Sequence, residues 1–293
     1  MRVRASVAIV TGALALTGLA VPAAQADSLP NLASMAPSSA KASSAKAWSS
    51  APFAAAADEA EGDTKITAVT VNGGKNIVVG TTQKKAFTVS VTATDPKGIH
   101  DAFAMLWHGP SSENADGAIA PSNLDEEQIG TCTNSSATTA TCKVTLIADP
   151  NENIYSNILA GTWKVWAGAA GNDGDYVIRE AYKTAKVQRA SKLTVNASPE
   201  PVKKGKPITV TGKLTRANWD RGTYNGYSTQ PVKLQFRKKN SNTYTTVKTI
   251  KTNSTGDLKT TVTASVDGYF RYSFAGTSTT PAVNAAGDFV DVR

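Results

Sequence analysis

Residues 268–274 read Gly-Tyr-Phe-Arg-Tyr-Ser-Phe, and residues 231–237 read Pro-Val-Lys-Leu-Gln-Phe-Arg. In the first, Phe270, Tyr272 and Phe274 share one side and Tyr269, Arg271 and Ser273 the other. In the second, Val232, Leu234 and Phe236 oppose Lys233, Gln235 and Arg237. A repeat of two with one apolar face is the pattern of a half-buried β-strand. Ile208, Val210 and Leu214 continue it upstream, as do Leu258, Val262 and Ala264 between the two stretches. Val247 and Ile250 are three apart, so that strand is expected to carry a bulge or lie on an edge. No heptad, βαβ unit or transmembrane pattern competes.

Charge separates this stretch from the rest. Residues 191–293 hold 16 Lys and Arg against 6 Asp and Glu, while the 293-residue chain nets only +8. The cations fall on outward strand positions, so they belong to a folded surface. Upstream, Phe87, Val89, Val91 and Ala93 alternate with Thr88, Ser90, Thr92 and Thr94, ending at the turn Asp95-Pro96-Lys97-Gly98. Further strands are expected at 66–71, 77–79, 103–108, 139–147, 162–167 and 176–187, with a long loop over 109–130 and a helical turn within 149–160. The expected class is all-β: two tandem antiparallel β-sandwiches over 63–189 and 190–293.

The second unit resembles the Ig-like domains of exported actinobacterial proteins. The resemblance rests on Gly205-Lys206-Pro207 before Ile208-Thr209-Val210-Thr211-Gly212, on 231–237, on Tyr244, on the turn 252–256, and on Gly268 to Gly276. It covers a third of the chain and implies an extracellular, non-enzymatic role without catalytic residues to transfer. Exported two-domain chains of this type are sometimes described as calcium-binding. The first unit resembles the family in strand rhythm only.

Residues 1–26 have the pattern of a secretory signal: Arg2 and Arg4, an apolar run from Ala5 to Leu19, Pro22, and Ala24-Gln25-Ala26. The run is short against the roughly 20 residues of a membrane span. Residues 27–62 are Ser- and Ala-rich with no period, and are expected to be a disordered leader. The two cysteines, Cys132 and Cys142, flank nine small or polar residues. In an exported chain they are expected to staple the arms of a hairpin as a disulfide.

Candidate sites are few. His100 and His108 lie in no nucleophile motif, and Asp125, Glu126 and Glu127 form an acidic cluster, so no catalytic constellation is expected. Asn172-Asp173-Gly174-Asp175 gathers oxygen side chains around a glycine, which makes Asn172, Asp173 and Asp175 candidate ligands for Ca²⁺. Asp149, Asn151, Glu152 and Asn153 form a weaker second group. Segment 215–230 reads as a long loop holding Trp219, Tyr224 and Tyr227 with Arg216 and Arg221, a candidate ligand-binding set. The competing reading has Trp219 or one of the tyrosines capping the end of the sandwich core.

The expectation is a secreted monomer that binds or supports structure at the cell exterior, meeting anionic cell-wall polymer or glycan through its basic second unit. Calcium binding in the first unit is the alternative, and enzyme inhibition a third class. No other cofactor, no nucleic acid and no membrane span after signal cleavage are expected.

Overall fold

The computed structural model describes residues 29, 31–37, 58–112, 114–124 and 128–293. The expected signal segment 1–26 and the cluster Asp125, Glu126 and Glu127 lie outside them. One helical turn, α1 (Leu32–Met35), precedes the strands. The first unit contains β1 (Glu59–Glu61), β2 (Lys65–Val71), β3 (Ile77–Val79), β4 (Lys85–Thr94), β5 (Ile99–His108), β6 (Gly117–Ile119), β7 (Thr131–Ser136), β8 (Thr139–Ala148), β9 (Gly161–Gly171) and β10 (Tyr176–Arg189). The second contains β11 (Ser191–Leu193), β12 (Asn196–Ser198), β13 (Pro207–Asn218), β14 (Thr223–Gly226), β15 (Pro231–Lys238), β16 (Thr245–Lys251), β17 (Asp257–Thr263), β18 (Gly268–Phe274), β19 (Val283–Asn284) and β20 (Asp288–Val290).

In the first unit, a sheet ordered β2-β4-β8-β7 faces one ordered β1-β10-β9-β5-β6, with β3 added in parallel beside β10. In the second, β13 pairs with β11, β12, β14 and β17, and the facing sheet runs β16-β15-β18 with β19 and β20 beside β18. The chain crosses between sheets from β4 to β5 and from β8 to β9. It repeats those crossings from β13 to β15 and from β17 to β18. Two antiparallel sheets connected this way form an Ig-like sandwich, and the chain has two in series.

Alternation decides which side chains enter each core. Phe270, Tyr272 and Phe274 are buried with Val232, Leu234, Ile208, Val210 and Leu214. The Tyr272 hydroxyl crosses the core to donate to the Val210 carbonyl at 2.9 Å, and burial pushes its phenol up to about 12. Its ring passes so close to β13 that a Cβ at Gly212 would lie 2.7 Å from it and 2.3 Å from the Thr194 carbonyl oxygen. Only glycine fits there. The register between β15 and β16 shifts after Leu234, so β16 has the expected irregularity and also lies at the sheet edge.

Cys132 and Cys142 are directly opposite on β7 and β8 and form a disulfide, as expected for a stapled hairpin. The turn Asn157–Leu159 supplies the expected helical turn within 149–160.

Three expectations are corrected. Part of the leader is ordered: Leu32 is 2% exposed and packs into the first core, while β1 pairs with β10. A Cβ at Gly168 of β9 would meet the Leu32 Cδ2 at 3.4 Å, so a small residue there leaves space for the leader. The segment 109–130 is not wholly a loop, since β6 pairs with β5. Segment 215–230 is not a loop either: β13 runs on through Asn218 and β14 folds back along it, Ala217 opposite Tyr224.

Candidate functional site

Three groups bear on function: the 215–230 hairpin, an acidic group in the first unit and the outer face of the second unit's β15–β18 sheet.

The hairpin leaves its own sandwich and inserts into the first unit. Trp219 is 4% exposed and belongs to the first unit's hydrophobic core, with Ala217 beside it and Tyr224 packed against it. Its indole N–H donates to the Gly80 carbonyl at 2.9 Å. Asn157 grips the hairpin tip: its side-chain oxygen accepts from the Trp219 backbone N–H at 2.9 Å, and its amide donates to Asn218 at 2.8 Å and to Asp220. The connection between units is tied in as well. The Arg189 Nε donates to the Ala217 carbonyl at 2.6 Å, and the Gln188 amide donates to the Thr277 carbonyl at 3.0 Å. Burial, with Arg216 nearby, pulls the Arg189 guanidinium down to about 10.

These contacts correct the ligand-binding reading of the segment. A buried indole whose N–H is already bonded has no face to offer a sugar. Lys192 lies over the Tyr224 ring at 3.9 Å, and Arg216 over the Tyr227 ring at 3.8 Å. Tyr227 also meets Phe274 edge-on. Of the five candidates, Arg221 alone is exposed. Trp219 does cap a sandwich core, but it is the other unit's.

The acidic group includes a residue the sequence reading placed in a turn. Asp95 follows directly on β4, and Asp173 and Asp175 lie in the β9–β10 turn; one carboxylate oxygen of each falls within 4.8 Å of the others. Asp95 is 2% exposed and accepts from the Thr64 hydroxyl at 2.6 Å and the Lys97 N–H at 2.7 Å. Asp175 accepts from the Asp63 N–H at 2.6 Å. Asn172 holds the two turns together, donating its amide to the Lys97 carbonyl at 2.9 Å and its backbone N–H to Gly98 at 3.0 Å. None of the three carboxylates makes an ion pair among the described residues. Converging carboxylates repel, and a hard cation such as Ca²⁺ takes oxygen ligands of this kind.

The other oxygen-rich turn is self-sufficient. Asp149 is bonded to Lys84 at 2.8 Å and accepts from the Asn151 N–H at 2.9 Å. Burial raises the Asp149 carboxyl, but Lys84 and Asn151 outweigh it and hold it below the usual range. The His108 Nδ1 lies 2.5 Å from Asp116, and neither histidine ring bonds a serine, threonine or cysteine side chain among the described residues.

The β15–β18 sheet carries six of the second unit's sixteen cations. Strands β15, β16 and β18 hold six Lys and Arg and no Asp or Glu. Lys233, Arg237 and Arg271 stand on outward positions, opposite the buried Val232, Leu234 and Tyr272 series.

Residues 72–169 match a family of unknown function, DUF5707. That third of the chain contains the disulfide and Asp95, but neither Asp173 and Asp175 nor any of the second unit. A comparison with curated proteins finds no match. Among solved structures, the chain is similar to the D00-D0 domain of Intimin (16% identity over 76% of this chain and 99% of that one, TM-score 0.25). It is also similar to the Yersinia pseudotuberculosis adhesin InvE (15%, 78% and 60%, TM-score 0.26) and to an I-band fragment of titin (12%, 74% and 62%, TM-score 0.27). The fold assignment rests on strand order and crossings, not on these similarities.

Proposed function

We propose that the chain is an exported, non-enzymatic binding protein whose second unit docks on anionic polymer at the cell exterior. The observation behind this reading is the set of three neighbouring strands with six cations and no acid. Such a surface attracts polyanions at long range. The disulfide suits an oxidising exterior, and no helix among the described residues is long and apolar enough to cross a membrane. The test is retention of the full chain on an immobilised anionic polysaccharide. Retention at physiological ionic strength and release by about 0.5 M salt is expected, because screening shortens the reach of exposed charges. Retention that ignores salt overturns the electrostatic reading.

A second reading, calcium binding, is favoured by the convergence of Asp95, Asp173 and Asp175 within 4.8 Å. Asp95, Asp173 and Asp175 would hold the ion, with Asn172 fixing the turns rather than coordinating. An ion specific to the native state must raise its melting temperature. Equal melting temperatures in Ca²⁺ and in chelator, or a calcium response unchanged by Asp173→Asn, overturn it.

A further inference from the structure

The outer face of the β15–β18 sheet holds some of its aromatic and cationic side chains in a continuous row. The Arg271 guanidinium lies 3.8 Å from the centre of the Tyr244 ring, and Arg237 lies 5.4 Å from that same ring. Arg237 also stacks on Tyr269 at 3.8 Å. Tyr269 meets Phe289 at 5.1 Å, and the Lys239 ammonium lies 5.4 Å from Phe289. The row crosses three strands, β18, β15 and β20, with Tyr244 entering from just before β16.

The row is fixed in place. The Arg271 Nε donates to the Gln235 side chain at 2.8 Å, and an Arg237 Nη donates to the Ser241 carbonyl at 2.9 Å. The Tyr244 hydroxyl rests against Gly287, where a Cβ would lie 2.3 Å from it. Neither arginine makes an ion pair among the described residues, and Asp267, near the end of the row, is paired to Lys239 at 3.5 Å. Two half-buried guanidiniums are thus held in position without a counter-charge. Groups already ordered lose less entropy when a ligand binds.

We propose that this row is the docking face for the anionic polymer, and that it recognises phosphodiester groups. The inference rests on the function proposed above and assigns its site and ligand chemistry. Each guanidinium lies over a tyrosine ring, and its remaining in-plane N–H groups are the donors it offers a ligand. Such edges pair most strongly with oxyanions. Arg237 is opposite Tyr269, and Arg271 is opposite Gln235, so the arginines are diagonal neighbours with Cβ atoms about 7–8 Å apart. A carboxylate offers two coplanar oxygens, which one guanidinium fills. The same fork holds the two anionic oxygens of a phosphodiester, and the diagonal placement of Arg237 and Arg271 lets successive phosphodiester groups along one chain engage both.

The experiment titrates the full chain with poly(glycerol phosphate) and, separately, with polygalacturonate of matched length. The charge-preserving variant Arg237→Lys/Arg271→Lys is expected to weaken poly(glycerol phosphate) binding by about tenfold, since lysine lacks the planar fork. Lys233→Gln/Lys251→Gln, off the row, is expected to weaken it less. The Nε–H resonances of Arg237 and Arg271 should shift on titration of the unmodified chain, a readout independent of any variant's folding. If the Lys variant binds as tightly as the parent and those resonances stay still, the row is not the site, while the charge-based function stands. Equal or tighter binding of polygalacturonate overturns the phosphodiester assignment. Binding of neither polymer overturns both proposals.

Discussion

The indole N–H of Trp219, on a hairpin of the second unit, donates to the carbonyl of Gly80 in the first unit at 2.9 Å. The ring is 4% exposed within a core to which its own sandwich contributes Ala217 besides it, with Tyr224 packed against it. The two units are therefore joined by shared hydrophobic packing as well as by the covalent chain.

Trp219→Ala should cost about 3–5 kcal/mol, the range for emptying a large aromatic site. Calorimetry of the parent is expected to show one cooperative transition and the variant two. Trp219→Phe, which keeps an aromatic ring but drops the hydrogen bond and part of the packing, should cost about 1–3 kcal/mol. Two transitions in the parent itself would refute the coupling.

This hairpin also shows where sequence reading stopped short. The alternation on β13 is plain through Leu214 because those side chains face their own sandwich. Beyond it, Ala217 and Trp219 are buried by the other unit, so the surrounding Thr, Arg and Asn read as a loop. Asp95 was hidden for a related reason. Asp-Pro-Lys-Gly is a turn signal, and nothing local indicates that Asp173 lies beside it. The strands of the β15–β18 sheet and the stapled hairpin were legible because their partners are near or their faces regular. The stacked row was not, since Tyr244 and Phe289 reach it from outside the central strands.

Acid should expose the Asp149–Lys84 contact. The folded carboxyl is held below the ordinary value of 3.8, so its stabilisation is full above that value. It is lost as pH falls through the lower, folded value. Asp149→Asn should cost about 1–2 kcal/mol at neutral pH, with the gap to the parent closing on acidification. Thermal melts across the acid range measure it; a gap that stays constant down to about pH 2 contradicts the assignment.

Removing the disulfide by Cys132→Ala/Cys142→Ala should cost about 3 kcal/mol on the chain-entropy estimate for so short a loop. The bond closes a sequence separation of 10 on neighbouring strands. The loss should therefore appear as a lower denaturant midpoint with the fold intact. A midpoint equal to the parent's would show that the strand pairing alone holds the hairpin.

α1 is four residues long, too short to be helical alone, so its order comes from the seat of Leu32 against Gly168. Leu32→Ala should cost about 2 kcal/mol or more and reduce hydrogen-exchange protection in β5 and β9. Gly168→Val should also lower that protection, by crowding both the Trp166 ring and Leu32. Unchanged protection in both variants would mean the leader adds nothing to the sheet.

The Trp219 seat has a consequence for inheritance. An Ig-like unit is often treated as a cassette, free to be copied, lost or joined to new neighbours. Here the first cassette is closed by a residue that its neighbour encodes, and the neighbour would present a bare indole if moved elsewhere. A recombination breakpoint between Arg189 and Ser191 would part Trp219 from the core it fills.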